Sequence, residues 1–125
     1  MDRIDKNKAI VKEVLEEIAA MTPPDEQTET QIIIDETRGH FLLMDVGWQD
    51  VYRTYLPFVH LDVKPDGKIW IQHDGTDLNI AMLLVERGIS KKDIVLAGVG
   101  GQGILTIAAV LGKAALAAGS AAWQG

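Results

Sequence analysis

The sequence has 125 residues, 47% of them apolar and 24% charged, the size and balance of one globular domain. Its 12 basic and 18 acidic residues leave a net charge of −6, which argues against a basic face that grips nucleic acid unaided. It contains no cysteine, which excludes disulfides, thiolate nucleophiles and Cys-based zinc sites.

The start, Met1-Asp2-Arg3-Ile4-Asp5, is charged and lacks an apolar export core, so a cytoplasmic location without membrane attachment is expected. Residues 1–97 hold 11 basic and all 18 acidic residues, whereas residues 98–125 hold one charge, Lys113, among Gly and Ala. The chain is therefore expected to divide into a domain over 1–97 and a fragment-like tail over 98–125.

A first helix is expected over residues 4–20. Ile4, Val11, Val14, Leu15 and Ile18 share one stripe, Asp2 or Asp5 can cap its start, and Pro23 and Pro24 forbid continuation. Four strands follow, over 30–35, 40–46, 51–63 and 68–73. Arg38-Gly39 suits the first turn, Gln49-Asp50 the second, and Pro57 marks a bend or an edge position. Short links imply an antiparallel meander.

The third turn fixes a register. Lys64-Pro65-Asp66-Gly67-Lys68 fits a type I turn followed by a left-handed glycine. Counting back pairs Val63 with Ile69, Asp62 with Trp70, Leu61 with Ile71 and His60 with Gln72. Alternation then separates an apolar face (Val59, Leu61, Val63, Ile69, Ile71) from a face of His60, Asp62, Lys64, Lys68, Trp70 and Gln72. Trp70 on that polar face has two readings. It covers the sheet edge or packs under the N-terminal helix, or it is an anchor for a partner, as interface tryptophans often are. On the second reading, the partner-binding residues are His60, Asp62, Trp70 and Gln72.

A second helix is expected over 77–87, capped by Thr76 and ended by Gly88 as a left-handed cap with apolar Ile89 after it. Ile94-Val95-Leu96 reads as a buried strand, a candidate fifth strand of the sheet. The expected fold is α+β: an antiparallel sheet of four to five strands, both helices on one face, and a C-terminal apolar helix appended.

Nothing in residues 1–97 reads as catalytic. The three histidines show no metal-ligand spacing. His40 sits by a turn, and His60 and His73 fall on opposite faces in the register above, so no metal site is expected. His60 and Asp62 share a face as an acid–base pair or as a solvated hydrogen-bonding set. Ser90 and Ser120 lack a nucleophile-elbow context. No catalytic residue is assigned.

The one chemical motif lies past the seam. Gly98-Val99-Gly100-Gly101-Gln102-Gly103, between Ile94-Val95-Leu96-Ala97 and Ile104-Leu105-Thr106-Ile107, contains the dinucleotide fingerprint G-x-G-x-x-G. Gly98, Gly100, Gly101 and Gly103 are thus the candidate cofactor-binding residues. However, no acidic residue follows Gly103 and no second βα unit exists, so a tight strand-to-helix turn without a cofactor is expected. The helix over 104–118 is apolar nearly all round. Ile104, Leu105, Ile107, Val110 and Leu111 exceed what a domain this small can cover, so a homo-oligomer or an aggregation-prone tail is expected.

Residues 1–97 resemble the XisI family of fdxN-element excision controlling factors. The resemblance is carried by the N-terminal helix, Asp35–Arg38 before a turn, and Leu42–Trp48 with its Asp45-Val46-Gly47-Trp48. It continues through His60-Leu61-Asp62-Val63, Asp66-Gly67-Lys68-Ile69-Trp70-Ile71-Gln72, Val85-Glu86-Arg87-Gly88-Ile89 and Asp93-Ile94-Val95-Leu96. It implies a small, soluble α+β regulatory protein of cyanobacterial type. Such a protein is an accessory to the site-specific recombinase that excises a DNA element during cell differentiation. The implied partners are a XisH-like protein and a recombinase complex, and no catalytic residues come with it. Residues 93–119 look instead like the opening of the gamma subunit of 2-oxoacid:ferredoxin oxidoreductases, which gives the alternative of a fragment or fusion related to that enzyme.

Overall fold

An N-terminal helix, α1 (Arg3–Met21), precedes four strands joined by short turns: β1 (Thr28–Asp35), β2 (His40–Gln49), β3 (Tyr52–Val63) and β4 (Ile69–Asp74). A short helix, α2 (Ile80–Glu86), and a single 3-10 turn (Lys91–Asp93) lead to β5 (Ile94–Leu96). The structure, a computed structural model, describes residues 2–21 and 27–97. The expected linker prolines, the glycine loop with Gly98, Gly100, Gly101 and Gly103, and the helix over 104–118 lie outside the described residues.

The five strands form one sheet in the order β1-β2-β3-β4-β5. The first four run antiparallel, as the turns imply, but β5 lies parallel to β4, with Ile69 opposite Ile94 and Ile71 opposite Leu96. The sheet is therefore mixed. The chain between β4 and β5 carries α2, and a parallel return needs such a crossover.

Both helices lie on the same face. Val11, Val14, Leu15 and Ile18 of α1 and Ile80, Ala81 and Leu84 of α2 join one core with Phe41, Leu43, Val59, Leu61, Val63, Ile69 and Ile71. The period-two alternation read from the sequence thus puts the predicted apolar face of β3 and β4 inward.

The β3–β4 turn forms as the sequence predicts. Lys64 N–H donates to Lys68 O and Gly67 N–H to Lys64 O, each at 2.8 Å. The buried Asn7 side chain donates to Gly67 O at 2.7 Å and ties α1 to this turn. Arg87 at the end of α2 pairs with Glu13 and Glu17 and ties the two helices together.

Three local expectations change. Helix α2 begins at Ile80, and its cap is Asn79, whose side chain accepts from Met82 N–H at 3.3 Å. Thr76, the expected cap, instead turns the chain, donating its hydroxyl to Asp74 at 2.6 Å and accepting from Leu78 N–H at 3.2 Å.

The second change is at Pro57, which stands at a bulge. Leu43 pairs with Val59 and Met44 with Pro57, leaving Phe58 as the extra residue. Proline has no N–H to give a ladder, so a bulge suits it.

The third change is a second bulge on β4. Leu61 pairs with Ile71 but His60 pairs with His73, so the expected His60–Gln72 pair does not form.

Candidate functional site

The helices leave the other face of the sheet open among the described residues. Along β2 that face carries His40, Leu42, Met44, Val46 and Trp48, alternating with the core residues Phe41 and Leu43. Register places Asp62 opposite His40, His60 opposite Leu42, Tyr55 opposite Val46 and Arg53 opposite Trp48.

At one end of this face four polar side chains converge on Asp62, which is only 5% exposed. Its Oδ1 faces His40 Nδ1 at 2.7 Å and His60 Nε2 at 2.8 Å. Its Oδ2 accepts from Gln72 Nε2 at 2.9 Å, and Lys64 Nζ lies 3.9 Å away. The His40 and His60 rings meet edge to face at 6.1 Å between centroids.

Of the four residues read as partner-binding, His60, Asp62 and Gln72 are thus joined in one hydrogen-bonded group. Gln72 reaches Asp62 even though the bulge removes its expected pairing with His60.

Trp70 stands beside this group, opposite Asp62 on β3 and Val95 on β5, half-buried, with Lys64 Nζ 5.4 Å from its ring centroid. It lies on the face opposite α1, so the reading in which it packs under the N-terminal helix is overturned. His73, expected on the face opposite His60, is His60's register partner across the bulge. It is exposed and stays out of the group on Asp62.

Sequence reasoning missed two features. His40 belongs to the Asp62 group, although the length of two strands, β2 and β3, separates them along the chain. At the far end of the same face, Arg53 lies 5.4 Å from the Trp48 ring and 5.9 Å from the Tyr55 ring, an exposed cation–aromatic stack. Val51, in the adjoining turn, is exposed as well, whereas Tyr52 and Leu56, at the alternate positions of β3, are exposed on the other side of the sheet.

Chemically, the Asp62 group is a fixed carboxylate holding two imidazoles. One ligand atom each from His40, His60 and Asp62 lie within 4.8 Å of one another, so these three are the described residues that can hold a metal ion. This departs from the sequence expectation that the histidines do not converge.

Burial works against ionisation of Asp62, but the hydrogen bonds from His40, Gln72 and His60 outweigh it and hold its carboxyl below its ordinary value of 3.8. A carboxyl lowered on folding binds fewer protons in the folded chain than in the unfolded one. Its contribution to stability is therefore complete above the ordinary value and is lost as pH falls through the lower folded value. Asp35 is lowered too, first by the Arg38 backbone N–H and then by the Arg38 side chain, so it adds to the same acid limb. Asp62→Asn is expected to cost ~2 kcal/mol at neutral pH, the scale of hydrogen bonds to a charged group, and to flatten the acid limb. Urea midpoints across the acid range check this, and an unchanged limb in the variant would contradict it.

A family model described as XisI protein matches residues 1–99. A solved XisI-like protein from Anabaena variabilis ATCC 29413 is 42% identical, over 74% of this chain and 84% of that chain, with a TM-score of 0.71. The solved fdxN element excision controlling factor XisI from Anabaena variabilis ATCC 29413 is 27% identical, over 76% of this chain and 86% of that chain, with a TM-score of 0.64. No curated protein matches the chain.

Proposed function

Because the chain belongs to the XisI family, we propose that it serves as an accessory factor in the excision of a DNA element, acting through protein partners and not by catalysis. The observation that carries the partner route is the open sheet face. It joins a buried, hydrogen-bonded Asp62 group and Trp70 at one end to the Trp48–Arg53–Tyr55 stack at the other. Tryptophan, tyrosine and arginine are the residue types that anchor interfaces. The net charge of −6 disfavours a direct grip on the phosphate backbone.

The proposed occupant of this face is a XisH-like protein, which in turn connects the chain to the recombinase. The site of action is the cytoplasm, and no helix among the described residues is long and apolar enough to cross a membrane.

Co-expression of the full chain with a XisH-like protein, followed by purification through a tag on one of them, tests the reading. Co-elution as a stable complex is expected. Capture of thiamine-diphosphate or iron–sulfur subunits instead would favour the oxidoreductase-related alternative. Salt-sensitive DNA binding by the chain alone would replace the partner route with a direct one.

A further inference from the structure

We propose that His40, His60 and Asp62 form a binding site for a borderline first-row transition-metal ion, with zinc as the representative case. The proposal stands apart from the partner reading and needs no partner for its test.

The ligand set is the first argument. Two imidazole nitrogens and one carboxylate oxygen suit zinc and its neighbours, whereas magnesium and calcium prefer all-oxygen sites. The second argument is geometry. His40 Nδ1 and His60 Nε2 both aim at the same atom, Asp62 Oδ1, at 2.7 and 2.8 Å. Metal–ligand bonds of about 2.0–2.1 Å set neighbouring ligand atoms roughly 2.9–3.4 Å apart. The two imidazole nitrogens therefore need to draw back from Asp62 Oδ1 by only a few tenths of an ångström, and they lie within 4.8 Å of each other, a spacing that side-chain rotation can adjust. In the metal-free chain, protons on the two imidazoles hold the place that the cation would take.

The third argument is support. Gln72 Nε2 holds Asp62 Oδ2 at 2.9 Å, so the carboxylate that would ligate through Oδ1 is oriented by its other oxygen. Such outer partners are what fix ligands in natural metal sites. The ligands come from adjacent rungs of two paired strands, a rigid platform. The carboxylate is buried, while the His40 and His60 side chains are 44% and 33% exposed, so the remaining coordination positions face solvent on the open side of the sheet.

The charges around the site are mixed. Asp35, opposite His40 on β1, adds negative charge, and Arg38 pairs with Asp35 at 3.1 Å. Lys64 opposes a cation, but it sits on the Oδ2 side, 3.9 Å from that oxygen and over the Trp70 ring.

The test is a calorimetric titration of the tag-free, chelator-stripped full chain with zinc chloride. One saturable site per chain is expected. His40→Gln and His60→Gln should each weaken it by more than about tenfold, while His73→Gln should leave it unchanged. Absence of saturable binding, or binding that survives both ligand substitutions, would overturn the proposal. Far-UV circular dichroism checks that each variant folds. Should either fail to fold, ring resonances of the parent chain decide. Those of His40 and His60 should shift with one equivalent of zinc while those of His73 stay, and unmoved His40 and His60 signals would sink the site.

Discussion

Phe41→Ala is expected to remove ~4 kcal/mol of folding stability, the upper range for emptying a well-packed aromatic site. Phe41 is fully buried and heads the largest buried side chains of the domain. It lies on β2 between Ile34 of β1 and Leu61 of β3, with both helices closing the core above it. Neither the ladder nor the helices can collapse into the hole without breaking register, so the loss combines transfer and cavity. A domain holds only ~5–15 kcal/mol in total, so the variant should sit near its unfolding threshold. Leu42→Ala, one residue on but on the open face and half-buried, should cost less than half as much. Urea unfolding reads both as midpoint shifts at unchanged slope. Equal costs at the two positions would mean that the helices do not cover the Phe41 side.

Gly39→Ala should cost roughly 3 kcal/mol, from a strained backbone and a collision together. Gly39 closes the β1–β2 turn at φ +76, with its N–H on Asp35 O and its O accepting from Val63 N–H, each at 2.8 Å. A Cβ there would lie 2.2 Å from Val63 O, a backbone atom at the end of β3 that cannot move alone. Gly88, at φ +105 with nothing within 4 Å of an added Cβ, isolates the backbone part, and Gly88→Ala should cost only ~1–2 kcal/mol. Thermal unfolding of the pair separates the two contributions. A Gly39→Ala cost no larger than that of Gly88→Ala would rule out the close approach to Val63.

These two glycines were legible in the sequence because a turn between apolar runs asks for that residue type. The same local logic gave α1, the four antiparallel strands and the inward set Val59, Leu61, Val63, Ile69 and Ile71. What it could not give is the Asp62 group as a whole. Without the bulge at Phe58, the β2–β3 turn would set His40 against Leu61, on a core rung, and leave Asp62 one position away. The extra residue shifts the ladder so that His40 meets Asp62. Period-two counting carries no signal for such an insertion beyond Pro57 itself, which the sequence flagged as a bend or an edge position. The bulge at Gln72 is similarly invisible, but Gln72 still reaches Asp62 because both lie on the open side. The parallel return of β5 was missed for another reason. The short apolar run Ile94-Val95-Leu96 says that it is buried, not which way it runs.

In the proposed function, the open face, with Trp70 beside the Asp62 group, docks the XisH-like partner. The most direct measurement compares Trp70→Ala with the parent chain for affinity to the XisH-like protein, corrected for the folded fraction of each. A loss of about 2 kcal/mol or more of binding, roughly thirtyfold in Kd, is predicted with only a modest fall in melting temperature. Unchanged affinity per folded molecule, with a large fall in thermal stability, would contradict the account and make Trp70 a cover for the β4–β5 edge.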